Sequence, residues 1–315
     1  EPTVYNVVSD PASALYCDGD LGVKIGLDDQ EWNATTPVTY VLKQNGVPVA
    51  THTPTSGDAG NPFWFNISGN EYFTGDGTDT YTVEAQTTYC NQFQFGSVSP
   101  EQYANADADA GSGGDVCSDN LASDPFTTSA SAASTTGSGT SNPSGKWTYT
   151  GPGTASFDDD TDPTTDVYVD TYGSYTLTWT VTNGPCTDSD NITVNFYEKP
   201  ALLFDVNGVD VLTTGSTWEY CYDVEISVKL NDILAGTAPF TLMWDVFVDG
   251  SLTADPTYSE TTGVQVTNIG DEVWGPGYLP AGSYYFELTS MVDANGCSPT
   301  DVSIYNSTIV IHEEP

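Results

Sequence analysis

Six cysteines, at positions 17, 90, 117, 186, 221 and 297, constrain this chain more than any other feature. No two are close enough in sequence to form the CxxC pairs of a zinc site or a thioredoxin-like centre. Taken in order as 17/90, 117/186 and 221/297, they are separated by 73, 69 and 76 residues. Three nearly equal intervals predict one repeated unit with a cysteine near each end. Sequence alone leaves fifteen pairings open, and the periodicity favours the sequential one, one bridge per unit. Each such bridge closes a loop of about 70 residues, worth roughly 4 kcal/mol on the chain-entropy account. Persistent bridges belong to an oxidising, extracellular setting. A reactive thiol needs a neighbouring cation to lower its pKa. With two histidines and five lysines in 315 residues, such neighbours are scarce.

The spacing of apolar residues supplies the fold class. After Cys17, Leu21, Val23, Ile25 and Leu27 alternate with other residues, and after Cys221, Val224, Ile226, Val228 and Leu230 do the same. Period two is the mark of a strand with one buried face. The corresponding part of the middle repeat, Phe126 to Gly145, starts as a weak strand and becomes a Ser/Gly loop. Before each second cysteine a tyrosine (Tyr81, Tyr175, Tyr284) opens another alternating strand. The turns "TTYC", "TNGPC" and "DANGC" follow, the last two with residues that tolerate positive φ. No segment shows a convincing capped helical period. The expectation is an all-β chain of three tandem Ig-like β-sandwich domains, 1–104, 105–200 and 201–315, with one disulfide each. The boundaries are placed at "ANADADAG" and at Lys199-Pro200.

These residues resemble the Ig-like and PKD-like repeats of giant Bacteroidota cell-surface adhesins, including the SprB-type gliding-motility adhesins. "LAGTAPFTLMWDV" with "SMVDANGCSPTD" is similar to one repeat class. "GKWTYTGPGTASFDDDTDPTTDVYVDTYGSYTLTWTVTNGPCTDSDNITV" is similar to a second, and "VTYVLKQNGVPV" with "YTVEAQTTYC" to a third. The resemblance implies export by a type IX secretion route, an extracellular cell-surface location, and a place in a long adhesin filament. It implies as partners the neighbouring repeats of the same chain, and surface polysaccharide or the gliding machinery.

Charge narrows the partners. There are 44 acidic residues against five lysines and a net charge of −39. Nucleic acid and anionic membrane surfaces need clustered cations, so both are excluded as partners. No run of apolar residues is long enough for direct membrane insertion as a helix. The three units carry −11, −12 and −16, a spreading that suits a uniformly self-repelling rod.

Candidate chemistry is thin. HExxH, GxSxG and phosphate-cradling glycine loops are absent from the sequence, and the chain is not expected to be an enzyme. Calcium is the one cofactor expected from spacing. Asn105, Asp107 and Asp109 alternate at the first boundary, and Asp158, Asp160 and Asp162, with Asp166 beyond, alternate in the middle unit. Oxygen ligands so placed suit Ca²⁺, although neither stretch completes an EF-hand. The bland reading is that acidic loops keep a long surface protein soluble. A carbohydrate-binding module is the alternative function, with Trp64 in "NPFWFN" and Trp274 in "EVWGPGYLP" as an exposed sugar platform. The opposing reading places both tryptophans in the core.

Overall fold

The computed structural model describes residues 1–208, 210–211, 215–252 and 260–314, and these contain strands and no helix. The alternating runs become strands for the expected reason: period-two apolar residues bury one face of each. In Gly173–Asn183, for example, Tyr175, Leu177, Trp179 and Val181 point inward in succession. Three separate hydrophobic cores result.

The first core lies between the sheet Val7–Asp10, Lys24–Leu27, Phe63–Trp64 and the sheet Val47–His52, Thr39–Gln44, Tyr81–Gln86, Asn91–Phe93. The second lies between Gly114–Ser118, Cys186–Glu198, Gly173–Asn183, Ser144–Thr150 and Phe126–Thr127, Asp166–Val169, Ala155–Phe157. The third packs the sheet built on Ala201–Val206, Glu225–Ala235 and Glu272–Tyr278 against one built on Phe240–Val248, Gly282–Val292 and Asn306–Ile311. Each is an Ig-like β-sandwich.

The repeated tyrosine has a structural duty. Tyr175 donates its hydroxyl hydrogen bond to Thr171 O and Tyr284 to Pro280 O, four residues upstream in both cases. This is the tyrosine corner of Ig-type sandwiches, which ties a buried ring to the turn before its strand. Tyr81 is also buried and packs edge-on against Phe73.

The disulfides correct the sequential pairing. The bonds are Cys17–Cys186 and Cys117–Cys297, with Cα separations of 5.7 and 5.5 Å, while Cys90 and Cys221 are free and exposed. One bridge per sandwich is therefore wrong, and strand direction explains why. Cys117 lies on a strand that runs parallel to Cys186–Glu198, with Cys117 opposite Tyr197. Cys186 begins that same strand eleven residues earlier. At ~3.3 Å per residue the two sit about 36 Å apart, at opposite poles of the sandwich. A disulfide needs Cα atoms within about 7 Å. The third unit repeats the arrangement: Tyr220, beside Cys221, pairs with Ile311, and Ile311 pairs with Gly282. From Gly282 the strand runs ten residues to Val292 before reaching the Cys297 turn, roughly 33 Å away. At both joints the first cysteine of one unit, Cys17 or Cys117, meets the second cysteine of the following unit, Cys186 or Cys297. The bridges therefore join successive sandwiches pole to pole.

Candidate functional site: the junctions between units

At the first junction, Cys17 closes a short parallel pairing of Leu15–Cys17 with Glu101–Tyr103. Cys186 closes the hairpin tip of the middle unit, opposite Asn183. Between them, Asp18 acts as a hub. Its carboxylate accepts from Gln102 Nε2 at 2.6 Å and from the Ser138 backbone N–H at 3.0 Å. Its backbone N–H donates to Tyr103 O, and its carbonyl accepts from Asn105 Nδ2.

Asn183, fully buried, completes the joint. Its Nδ2 donates to Ala104 O at 2.7 Å and to Thr140 O at 2.8 Å, while its Oδ1 accepts from the Asn142 N–H at 2.8 Å. The Ser/Gly-rich stretch of the middle unit is therefore a fitted part of this joint. Gly137, at φ 86°, lies so close that an added Cβ would stand 2.1 Å from the Asp18 carboxylate. Gly184, at the hairpin tip, lies against the Tyr103 ring, and a Cβ there would meet it at 2.4 Å. Sequence reading missed Asp18, Asn183 and the 137–140 loop. The available signal was a glycine-rich loop of low strand propensity inside an otherwise regular repeat.

The second junction uses different atoms for the same ends. Cys297 is buried beneath a turn built on the Asp293 carboxylate, which accepts from the N–H groups of Thr237, Asn295 and Cys297 at 2.8–3.0 Å. Asp119, two residues after Cys117, accepts from Thr300 Oγ1 of the third unit and pairs with Lys199 Nζ at 3.5 Å. Lys199 Nζ also donates to Thr300 Oγ1, and its backbone N–H donates to Ser118 O. Lys199-Pro200 is thus a braced connection, with Gly236 packed on Pro200.

The residues proposed for calcium are dispersed among local hydrogen bonds. Asn105 to Asp107 form a strand paired with Ser134–Thr136. Asn105 is engaged with Asp18, Asp107 accepts from Ser134 Oγ, and Asp109 accepts from Gly111 N–H and Ser131 Oγ. The last two bonds hold the Asp109 carboxyl below the usual carboxylate range. In the second stretch, Asp158 N–H donates to Asp166 O, and Asp166 accepts from Thr127 Oγ1. Asp160 pairs with Lys146 at 3.1 Å. Asp162 accepts from Thr164 through its carboxylate and from the Trp147 indole through its carbonyl. The acidic loop thereby caps a core tryptophan. Among the described residues, no three Asp, Glu, His or Cys side chains converge as a metal site.

The two platform tryptophans part company. Phe63 and Phe65 are buried, so Trp64 points to the opposite face as alternation requires, and it lies half-buried over Gly26. Trp274 is 6% exposed and packs edge-on against Phe286 at 4.3 Å, which removes it as an exposed sugar platform. The strand Glu272–Tyr278 pairs with Glu225–Ala235 through a register shift at Val228, opposite Trp274, and the consecutive residues Val273 and Trp274 both enter the third core. His52 is part-buried beside the aromatic cluster of Phe63 and Phe65. It stacks on Phe63 at 4.0 Å and meets Gln30 Oε1 at 2.7 Å, and burial pushes its pKa down.

The sheets, cores and pole-to-pole joints define a tandem array of Ig-like β-sandwiches. No family model matches the chain, and no curated relative matches it. Among solved structures, it is similar to the I-band fragment I67–I69 from titin, with 10% identity, TM-score 0.46, and 99% of this chain and 97% of that chain covered. It is also similar to Drosophila OTK extracellular domains 3–5, with 12% identity, TM-score 0.37, and 95% and 93% covered. Three N-terminal domains of the bacteriophage RB49 outer capsid protein Hoc match with 14% identity, TM-score 0.35, and 99% of both chains covered. The architecture rests on the sheets and cores described above. Among the described residues no helix is long and apolar enough to cross a membrane, which says nothing of β-barrel passage.

Proposed function

We propose that this chain is a spacer in an extracellular, adhesion-type filament, built as a rod whose joints are covalently locked. The observation that carries the reading is the placement of both disulfides between sandwiches. An intramodular bridge strengthens a fold, whereas a bridge at a joint removes the hinge freedom that adjacent domains otherwise have. Directional strength and reach are the properties such bridges supply.

The units taken as repeats are 1–104, 105–200 and 201–315. Their like charges repel one another, which opposes lateral collapse but also pushes neighbouring poles apart. Repulsion between exposed charges is screened over ~10 Å at moderate salt, whereas a covalent bond is indifferent to salt. The staples therefore hold the joints closed under any ionic condition. Disulfides also favour an oxidising, extracellular location. Within this reading the Bacteroidota adhesin resemblance supplies the particular setting: a cell-surface stalk of the SprB type, exported by type IX secretion, serving adhesion or gliding. A calcium contribution to the joint at Asn105, Asp107 and Asp109 belongs to the same reading.

Small-angle scattering tests it, run on oxidised protein in chelator and in millimolar calcium, and on the reduced protein. A rod of three sandwiches has a radius of gyration of roughly 35 Å, against about 20 Å for a compact 315-residue body. The oxidised protein is expected near the larger value at both low and high salt, and reduction should broaden its distribution of end-to-end lengths. A compact oxidised particle sinks the spacer reading. A further extension in calcium, lost on replacing Asp107 and Asp109 by Ala, assigns calcium to the joint.

A further inference from the structure

The free cysteines are the two unmatched halves of the staple already present twice. All three units place a cysteine at the closing position of the same hairpin tip. Thr87 N–H donates to Cys90 O at 2.9 Å, Asn183 pairs with Cys186, and Asp293 N–H donates to Cys297 O at 2.9 Å. All three place another at the end of the strand that runs parallel to the last strand of the unit: Cys17 opposite Tyr103, Cys117 opposite Tyr197, and Cys221 directly after Tyr220, which pairs with Ile311. Each of these second positions is followed within two residues by an aspartate, Asp18, Asp119 or Asp223. In the two formed junctions that aspartate accepts hydrogen bonds from the incoming unit.

The sister units thus serve as an internal comparison. At the two joints the structure contains, both cysteine positions are bonded, and the same two positions at Cys90 and Cys221 are free and exposed. The surroundings agree. Tyr89, Phe93 and Phe95 around the Cys90 hairpin are 82%, 60% and 71% exposed, and Tyr222 beside Cys221 is 50% exposed. In the formed joint, by contrast, the hairpin tip is covered by the Tyr103 ring.

We propose that Cys90 and Cys221 are complementary docking thiols, each taking a further β-sandwich unit of this kind in a pole-to-pole disulfide. Cys221 accepts a hairpin-tip cysteine, and Cys90 accepts a strand-end cysteine. The contact is heterologous and does not close on itself, so it extends a linear array. In each closure an S–S bond forms and two S–H bonds break. The two protons and two electrons pass to a low-molecular-weight disulfide such as glutathione disulfide, which leaves as two thiols. The proposal rests on the reading of the chain as serially stapled units.

A second copy of this chain carries both complementary poles and is the probe. Cys90→Ser and Cys221→Ser variants each keep one of the two free thiols, both of which lie on the surface outside the cores. Mixed in equal amounts in a glutathione redox buffer, they are analysed by non-reducing peptide mapping. Indifferent thiols give Cys90–Cys221, Cys90–Cys90 and Cys221–Cys221 in a proportion of about 2:1:1. Selective docking gives the mixed disulfide about tenfold or more above either like-with-like product, and the unmutated chain gives a head-to-tail ladder on a non-reducing gel. Statistical pairing, or a chain that stays monomeric in that buffer, overturns the proposal. The same peptide map reports Cys17–Cys186 and Cys117–Cys297. Loss of those bonds sinks the stapled-rod reading, whereas their presence beside unselective Cys90 and Cys221 sinks only this inference.

Discussion

Replacing Cys17 by Ser should destabilise a sandwich to which Cys17 does not belong. Cys17 lies in the first unit, but its partner Cys186 closes the hairpin of the second. With the bond intact, unfolding the middle unit leaves the roughly 80 residues from Asn105 to Cys186 as a loop pinned to the folded first unit. On the chain-entropy account a loop of that length is worth about 4.5 kcal/mol, with measured disulfides more often at 2–4. Losing about 4 kcal/mol from a ~100-residue domain lowers its midpoint by on the order of 15–20 °C. The middle unit has its own reporters, because Trp147 and Trp179 are both buried in its core at a ring separation of 5.2 Å. With the tryptophans of the other two units replaced by Phe in both proteins compared, fluorescence melting follows that core alone. Peptide mapping of Cys17→Ser should find Cys186 as a newly free thiol, with Cys90 free in both proteins. A middle-unit transition that moves by less than about 2 °C while the first unit weakens would refute the inter-unit staple, because only a Cys17–Cys90 bond acts that way.

Asn183→Leu should cost about 3 kcal/mol in urea unfolding of the same core, since it orphans Ala104 O and Asn142 N–H and leaves Thr140 O with the Ala104 N–H as its remaining donor; a loss under about 1 kcal/mol contradicts the joint described here. Trp274→Ala should cost about 3–5 kcal/mol, as for a core aromatic, whereas a surface sugar platform would tolerate it with little change in melting. Acid should act in two stages. Burial lowers the pKa of His52 below its unfolded value of about 6.5, so its contribution is complete above that value and erodes as pH falls through the folded value. Comparing wild type with His52→Gln at each pH cancels the shared charge effects, and the variant should lack the slope that begins below pH ~6.5; equal slopes reject this role for His52. Glu84 is held below its usual range by Lys43 and Gln86, and Asp58, Asp76 and Asp170 by local N–H and hydroxyl donors. Their contribution is complete above the unfolded carboxylate range of about 4 and is lost as pH falls through the lowered values, so a second decline should appear only below pH ~4.

Much of the fold was legible in residue order. Alternation at Val23, Ile25 and Leu27, or at Tyr175, Leu177, Trp179 and Val181, dictates strands with one buried face, because side-chain direction in a strand depends only on parity. The same parity placed Trp64 opposite the buried Phe63 and Phe65. Composition sets the expectation against a nucleic-acid partner, because five lysines scattered along the sequence form no local basic cluster. The equal cysteine intervals revealed the repeat, although not the pairing.

What residue order could not carry was direction. A spacing of about 70 residues reads the same whether two cysteines share a pole or stand about 36 Å apart, and the parallel pairing of Gly114–Ser118 with Cys186–Glu198 decided for the second. That single register turned an expected clamp within each sandwich into a lock between sandwiches. At the first of these joints the weak Ser/Gly stretch of the middle unit is seated against Asp18. Trp274 shows the same division on a smaller scale. Its turn-like neighbours suggested exposure, and the sheet to which its strand pairs buried it. Local pattern determines which faces are apolar, since that follows from side-chain parity along one strand. Which cysteine meets which depends on strand direction and on the neighbouring unit, and only the assembled tertiary structure contains both.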